Sequence, residues 1–150
     1  MLAASLIAFG HFISLFALIA ALVLQLALVS ESMGVAIARR IQRADRVYGV
    51  AAMLVLTFGF LRVIYFEKGS AYYFSNTFFL IKLGLFIAVG LISIYPTFVY
   101  SQWSKKLKQE IAPTISKHNV VSLKRIIHLE LVLIGGILLC ASLMAKGFGR

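Results

Sequence analysis

The chain is 150 residues long, 61% hydrophobic and only 13% charged, with a mean hydropathy of +0.96. Soluble domains carry about a quarter charged residues, so this composition excludes a water-soluble globular fold. A formal charge of +10 would suit a nucleic-acid binder, but the basic residues cluster beside apolar runs and read instead as membrane topology and as contacts for anionic lipid headgroups, with no nucleic acid as partner.

Four apolar runs, at about 2–30, 47–66, 78–102 and 126–145, each reach the roughly 20 residues a helix needs to cross a bilayer. Short connections predict sequential antiparallel neighbours. The expected fold is all-α, an integral membrane four-helix up-down-up-down bundle forming a single domain over 1–150.

The first run is too long for a signal-peptide core and has no basic residue before it, so it is expected to stay in the mature protein. It carries His11 between Phe9, Gly10, Phe12 and Ile13, where the glycine would let a flat ligand or another helix approach the backbone. Helix one is expected to continue past the hydrocarbon through 36–46, where apolar and basic residues alternate at helical spacing. Helix two would then start near Asp45, since an acidic residue suits a helix start. The second run carries Arg62 and ends near Phe66. Residues 67–77 read as a short external turn, with Tyr65, Tyr72, Tyr73 and Phe74 at headgroup level.

The third run carries Lys82 and Pro96, and the proline predicts a kink near 93–96. Trp103, after Tyr95 and Tyr100, is expected to mark the inner interface. Residues 111–119, with Pro113, form the one irregular linker. In the fourth run Cys140 is the chain's single cysteine, so no disulfide framework exists and the thiol serves as a small hydrophobe. Gly84, Ala88, Gly135 and Gly136 are expected helix contact points.

Connection one holds Arg39, Arg40, Arg43 and Arg46, and connection three holds Lys105, Lys106, Lys108, Lys117, Lys124 and Arg125. Connection two has only Lys68. The positive-inside rule then puts connections one and three in the cytoplasm and both termini on the non-cytoplasmic side of a bacterial inner membrane, with Lys146 and Arg150 running against the trend. Four helices also leave enough lipid-facing surface for a homo-oligomer.

At about 1.5 Å of rise per residue, His11 lies roughly 8 Å and Arg62 roughly 6 Å inside the far leaflet, with Lys82 at a similar depth. Three cation-capable groups in one apolar layer either snorkel outward or surround an anion or cofactor. An imidazole for an axial ligand, cations for propionates and aromatic walls are the parts of a haem site. Toward the cytoplasm, Gln25, Asp45, Tyr48, His128 and Glu130 form a second polar layer, where Asp45 or Glu130 is expected to pair with Arg46, Lys124 or Arg125. The chain has no metal-cluster spacing, phosphate-binding glycine loop or nucleophile elbow.

The stretches LIAFGHFISLF, RADRVYGVAAMLVLTFGFLRVIYFEKG, FFLIKLGLFIAVG and RIIHLELVLIGG resemble a family of four-span bacterial membrane proteins of unknown function, over nearly the whole chain. More distantly, the arrangement is similar to the HemJ-type protoporphyrinogen oxidases, small four-span proteins that bind haem b. That resemblance falls on His11 and Lys82. It implies His11 as axial metal ligand, Lys82 as a catalytic residue handling a proton or a carboxylate, and Lys82 and Arg62 near the haem propionates. The opening of the last helix, RIIHLELVL, has His128 where the oxidases carry asparagine. No tryptophan follows His11, and the turn EKGSAYYFSN differs from theirs. The leading expectation is a haem-b-binding redox protein that passes electrons to a membrane partner; if the oxidase reaction holds, a tetrapyrrole would enter from the bilayer. The alternatives are a non-enzymatic component binding or transporting a small anion or quinone-like ligand, and an accessory subunit of a larger membrane complex.

Overall fold

Residues Leu2–Leu28 contain one glycine and no proline, and they form the first helix, α1. The structure, a computed structural model, describes residues 1–149, so Arg150 lies outside the described residues. At Val29 the backbone turns extended, with φ −66° and ψ 118°, and Ser30, Glu31 and Ser32 lead to Gly34, the extended N-cap of α2, Val35–Leu61. The basic stretch 36–46 is therefore the first part of α2 and not an extension of α1. The physical reason lies in that short polar segment, whose serines compete for backbone hydrogen bonds and whose glycine breaks the helix. Within α2 the buried residues Ala38, Ile41, Ala44, Tyr48, Ala51 and Val55 recur at three and four residues, one continuous stripe facing inward. Asp45 thus lies in the interior of the helix.

A π-helical turn, Arg62–Phe66, ends the α2 run. Gly69, at φ +84°, reverses the chain into the short α3, Ser70–Phe74. The third long helix, α4, spans Thr77–Gln102 and runs on through a buried Pro96. A single turn, α5 at Ser104–Lys108, leads through the linker to α6, Lys117–Ala145. This helix starts well before residue 126 because Ser116 caps it, accepting from the Asn119 amide at 3.3 Å. All regular structure among the described residues is helical.

The four long helices α1, α2, α4 and α6 are each long and apolar enough to span a membrane. They pack as two antiparallel pairs, α1 on α2 and α4 on α6, joined through thinner α1–α6 and α2–α4 seams. Leu18, Leu22, Val55, Val89, Ile127 and Ile134 fill the centre of the bundle. At the end bearing the basic connections, Ile41, Tyr100, Trp103, Leu107 and Leu123 form a second buried group. Tyr100 and Trp103, expected near the inner interface, are core residues of this end at 1% and 6% exposure. Phe9, Phe16, Met53, Leu91, Val132 and Leu139 point outward, as helices in lipid require. Of the expected glycine contacts, Gly136 meets Leu85, whereas Gly84 and Gly135 face open space.

Candidate functional site

Two polar layers are built into the bundle. The outer one begins with His11 on α1, whose Nδ1 lies 3.0 Å from the Val55 carbonyl oxygen on α2. A carbonyl only accepts, so Nδ1 carries the ring hydrogen and Nε2 keeps a lone pair. The ring is further fixed by Gly59, where an added Cβ would sit 3.3 Å from His11 Cε1. Arg62 opens the π-helical turn, and its side chain lies over the Phe12 ring at 5.5 Å. Lys82, half-buried on α4, lies over the Phe79 ring at 5.2 Å. Arg62 and Lys82 are both close enough for their charges to act on the His11 imidazole, so the three side chains lie near one another at this end of the bundle.

Sequence reasoning missed the counter-ion. Glu67 Oε1 accepts from Arg62 at 2.7 Å and 3.3 Å, and Glu67 Oε2 accepts from the Tyr73 hydroxyl at 3.3 Å. The two charges are five residues apart, a spacing an α-helix does not bring together and a π-helical turn does. Burial and the Glu67 carboxylate push the Tyr73 phenol up from its ordinary value. Lys82, by contrast, forms no ion pair with a described residue. At the same end, Asn76 is fully buried and caps α4, its Oδ1 accepting from the Phe78 and Phe79 amides. Its Nδ2 donates to the Phe148 carbonyl at 3.0 Å, tying the tail after α6 to the start of α4.

The fit of haem b to these residues is mixed. A donated Nδ1–H is the usual support of a metal-bound histidine, and it leaves Nε2 as the ligand. The flat slot expected beside Gly10 is filled, however: an added Cβ there would lie 2.9 Å from the Phe58 ring. Among the described residues there is no group of three or more metal-ligating side chains. His11 Nε2 is thus left without a partner from Val55, and the space beside Gly10 is taken by Phe58 of α2.

In the inner layer the expected ion pairs are absent among the described residues. Asp45 instead accepts from Thr97 Oγ1 at 2.8 Å across the α2–α4 seam. Glu130 is buried with 1% exposure and pairs with no cation. His128 Nδ1 lies 2.7 Å from the Lys124 carbonyl oxygen on its own helix and faces outward. The ion pair at this end joins Arg39 to Glu110, and Arg39 also donates to the Leu107 carbonyl at 2.8 Å. Glu110 itself sits at φ +57°, a left-handed conformation that is uncommon outside glycine. A cleft of ≈ 560 Å³ opens here, with Arg39, Arg43, Asp45, Thr97, Tyr100 and Lys108 among its lining residues.

No curated protein and no solved structure matches the chain. A family model described as a predicted membrane protein, DUF2214, matches residues 3–149, which is nearly the whole sequence. With four helices of spanning length and that match, the chain belongs to the DUF2214 family of membrane proteins.

Proposed function

We propose that this is a multi-pass protein of the bacterial inner membrane that holds a small anionic or quinone-like molecule among Lys82, Arg62 and His11. Both termini lie on the non-cytoplasmic side, and the basic end contacts anionic lipid headgroups. Lys82 carries the reading. Arg62 already has Glu67, whereas the half-buried Lys82 amine lies over the Phe79 face within electrostatic reach of Cys140 and Arg62, and forms no ion pair with a described acid. Two cations against one carboxylate in an apolar layer leave a place for a bound anion or a carbonyl oxygen. The lone pair on His11 Nε2 accepts a hydrogen bond from a ligand hydroxyl, as a quinol would offer. Calorimetric titration of the nanodisc-embedded protein with a short-chain benzoquinone tests this. Saturable binding is expected, weakened about tenfold, or about 1.4 kcal/mol, in Lys82→Met. Binding that is equal in the two proteins, or absent from both, defeats the reading.

The Nδ1 contact to Val55 favours a second reading, in which His11 is the axial ligand of haem b and Arg62 and Lys82 sit near its propionates. Haem would supply one-electron chemistry, and Lys82 would manage a proton or a tetrapyrrole carboxylate. Purified protein would then show a Soret band that His11→Ala abolishes. A folded, colourless preparation ends this reading and leaves the first in place.

A further inference from the structure

The inner polar groups form a series along the seam between α2 and α4. Nearest the basic end, Gln42 Nε2 donates to the Tyr100 carbonyl at 2.6 Å and to Ser104 Oγ at 3.2 Å. Next, Thr97 donates to Asp45 at 2.8 Å. Deeper still lie Tyr48, buried on α2, and Ser93 on α4, whose Oγ donates to the Gly90 carbonyl at 2.8 Å. On α2 these positions recur every third residue, so each step lies about 4.5 Å further in than the last. Gln42, Asp45, Thr97 and Tyr100 all line the ≈ 560 Å³ cleft, so the first two steps open directly onto it.

The series ends at Glu130, contributed by α6. Its Oε1 has no partner, and neither has Gln25 Nε2 of α1 or the Tyr100 hydroxyl of α4; each of these residues is 1% exposed. Asp45, Tyr48 and Tyr100 lie within electrostatic reach of Glu130. On its own helix, His128 lies about half a turn and Lys124 and Arg125 about one and a half turns nearer the basic end, and none pairs with it. One amide donor, one hydroxyl and one carboxyl oxygen are complementary to water, which both donates and accepts. Four cationic side chains at the mouth, Arg39, Arg43, Arg46 and Lys108, disfavour entry of a metal cation. A proton needs only hydroxyls, carboxylates and water.

We propose that Glu130 is a proton-binding site inside the bundle, loaded and unloaded from the basic end through water along the α2–α4 seam, with Asp45 as the intermediate carrier. A proton leaves hydronium in the cleft, binds an Asp45 carboxylate oxygen, and passes through water to Glu130, where it becomes the carboxylic O–H. Release runs through the same steps in reverse, and no electron moves. The site stands apart from the outer layer and does not depend on what binds there.

Infrared difference spectroscopy of the full chain in lipid nanodiscs, with ¹³C-labelled glutamate, reads the Glu130 carboxylic C=O directly. The expected band changes amplitude with pH, shifts promptly in D₂O and is lost in Glu130→Gln. In Asp45→Asn its exchange slows at least tenfold. Glu130→Asp keeps the acid on a shorter arm and moves the absorption into the aspartate region, which gives the assignment if Glu130→Gln does not fold. A glutamate carboxyl that neither titrates nor exchanges, or one that exchanges as fast in Asp45→Asn as in the native chain, overturns the proposal.

Discussion

Asn76 shows how much one side chain can hold. It closes the start of α4 through two backbone amides and, through its own amide nitrogen, holds the tail that follows α6. Asn76→Ala removes both functions and is expected to destabilise the fold by about 1–2 kcal/mol, the usual scale for a lost N-cap with some added loss from the tail. Asn76→Ser keeps a capping acceptor and loses the donation to Phe148, so its effect should be smaller. Reversible unfolding in mixed micelles ranks the two, and equal losses would mean that the tail contact contributes everything. In the sequence Asn76 reads only as a turn residue, because its cap partners are local but its tail partner lies at the far end of the chain. Glu67 escaped notice for a related reason: its pairing with Arg62 needs a π-helical turn, which local propensity does not announce. His11, Arg62 and Lys82 were legible because ionisable groups in apolar runs stand out by cost alone.

Among the elements, α1 and α2 are fitted to each other by two glycines that face opposite helices. Phe58 of α2 covers Gly10 of α1, and His11 of α1 covers Gly59 of α2. Gly10→Ala drives a methyl to 2.9 Å from the Phe58 ring, so a loss of about 1–3 kcal/mol is expected from overpacking. Gly49→Ala is the control, since nothing lies within 4 Å of its added methyl; there the better helix propensity of alanine should leave stability unchanged or raised. Micelle unfolding of both variants checks this, and equal destabilisation would argue against the close fit. The sequence suggested that Gly10 admits a ligand or a helix, and the structure places a helix there. The number of spans was legible from hydropathy. The start of α2 was not, because a six-residue break between two helical patterns is weak beside the regular alternation that follows it.

At the scale of the molecule, the distribution of charge sets an orientation that labelling can check. In a Cys140→Ala background, a cysteine at the exposed Ser75 should react with an impermeant maleimide from outside the cell, and one at the exposed Lys106 only after permeabilisation. The opposite pattern would invert the bundle and place the outer polar layer in the cytoplasmic leaflet. The up-down order of the helices followed from short connections, but their unequal pairing did not, because composition says little about which apolar faces match.

That unequal pairing bears on how the chain is made. The interface between α1 and α2 lies within the first 66 residues, so both partners emerge from the ribosome ahead of α4, and the loop between them is short enough for fast closure. The second pair can form in the same way around its own linker. What remains for the end of biogenesis is the meeting of two finished hairpins, guided by the polar side chains that Arg39, Gln42 and Asp45 present to the arriving half.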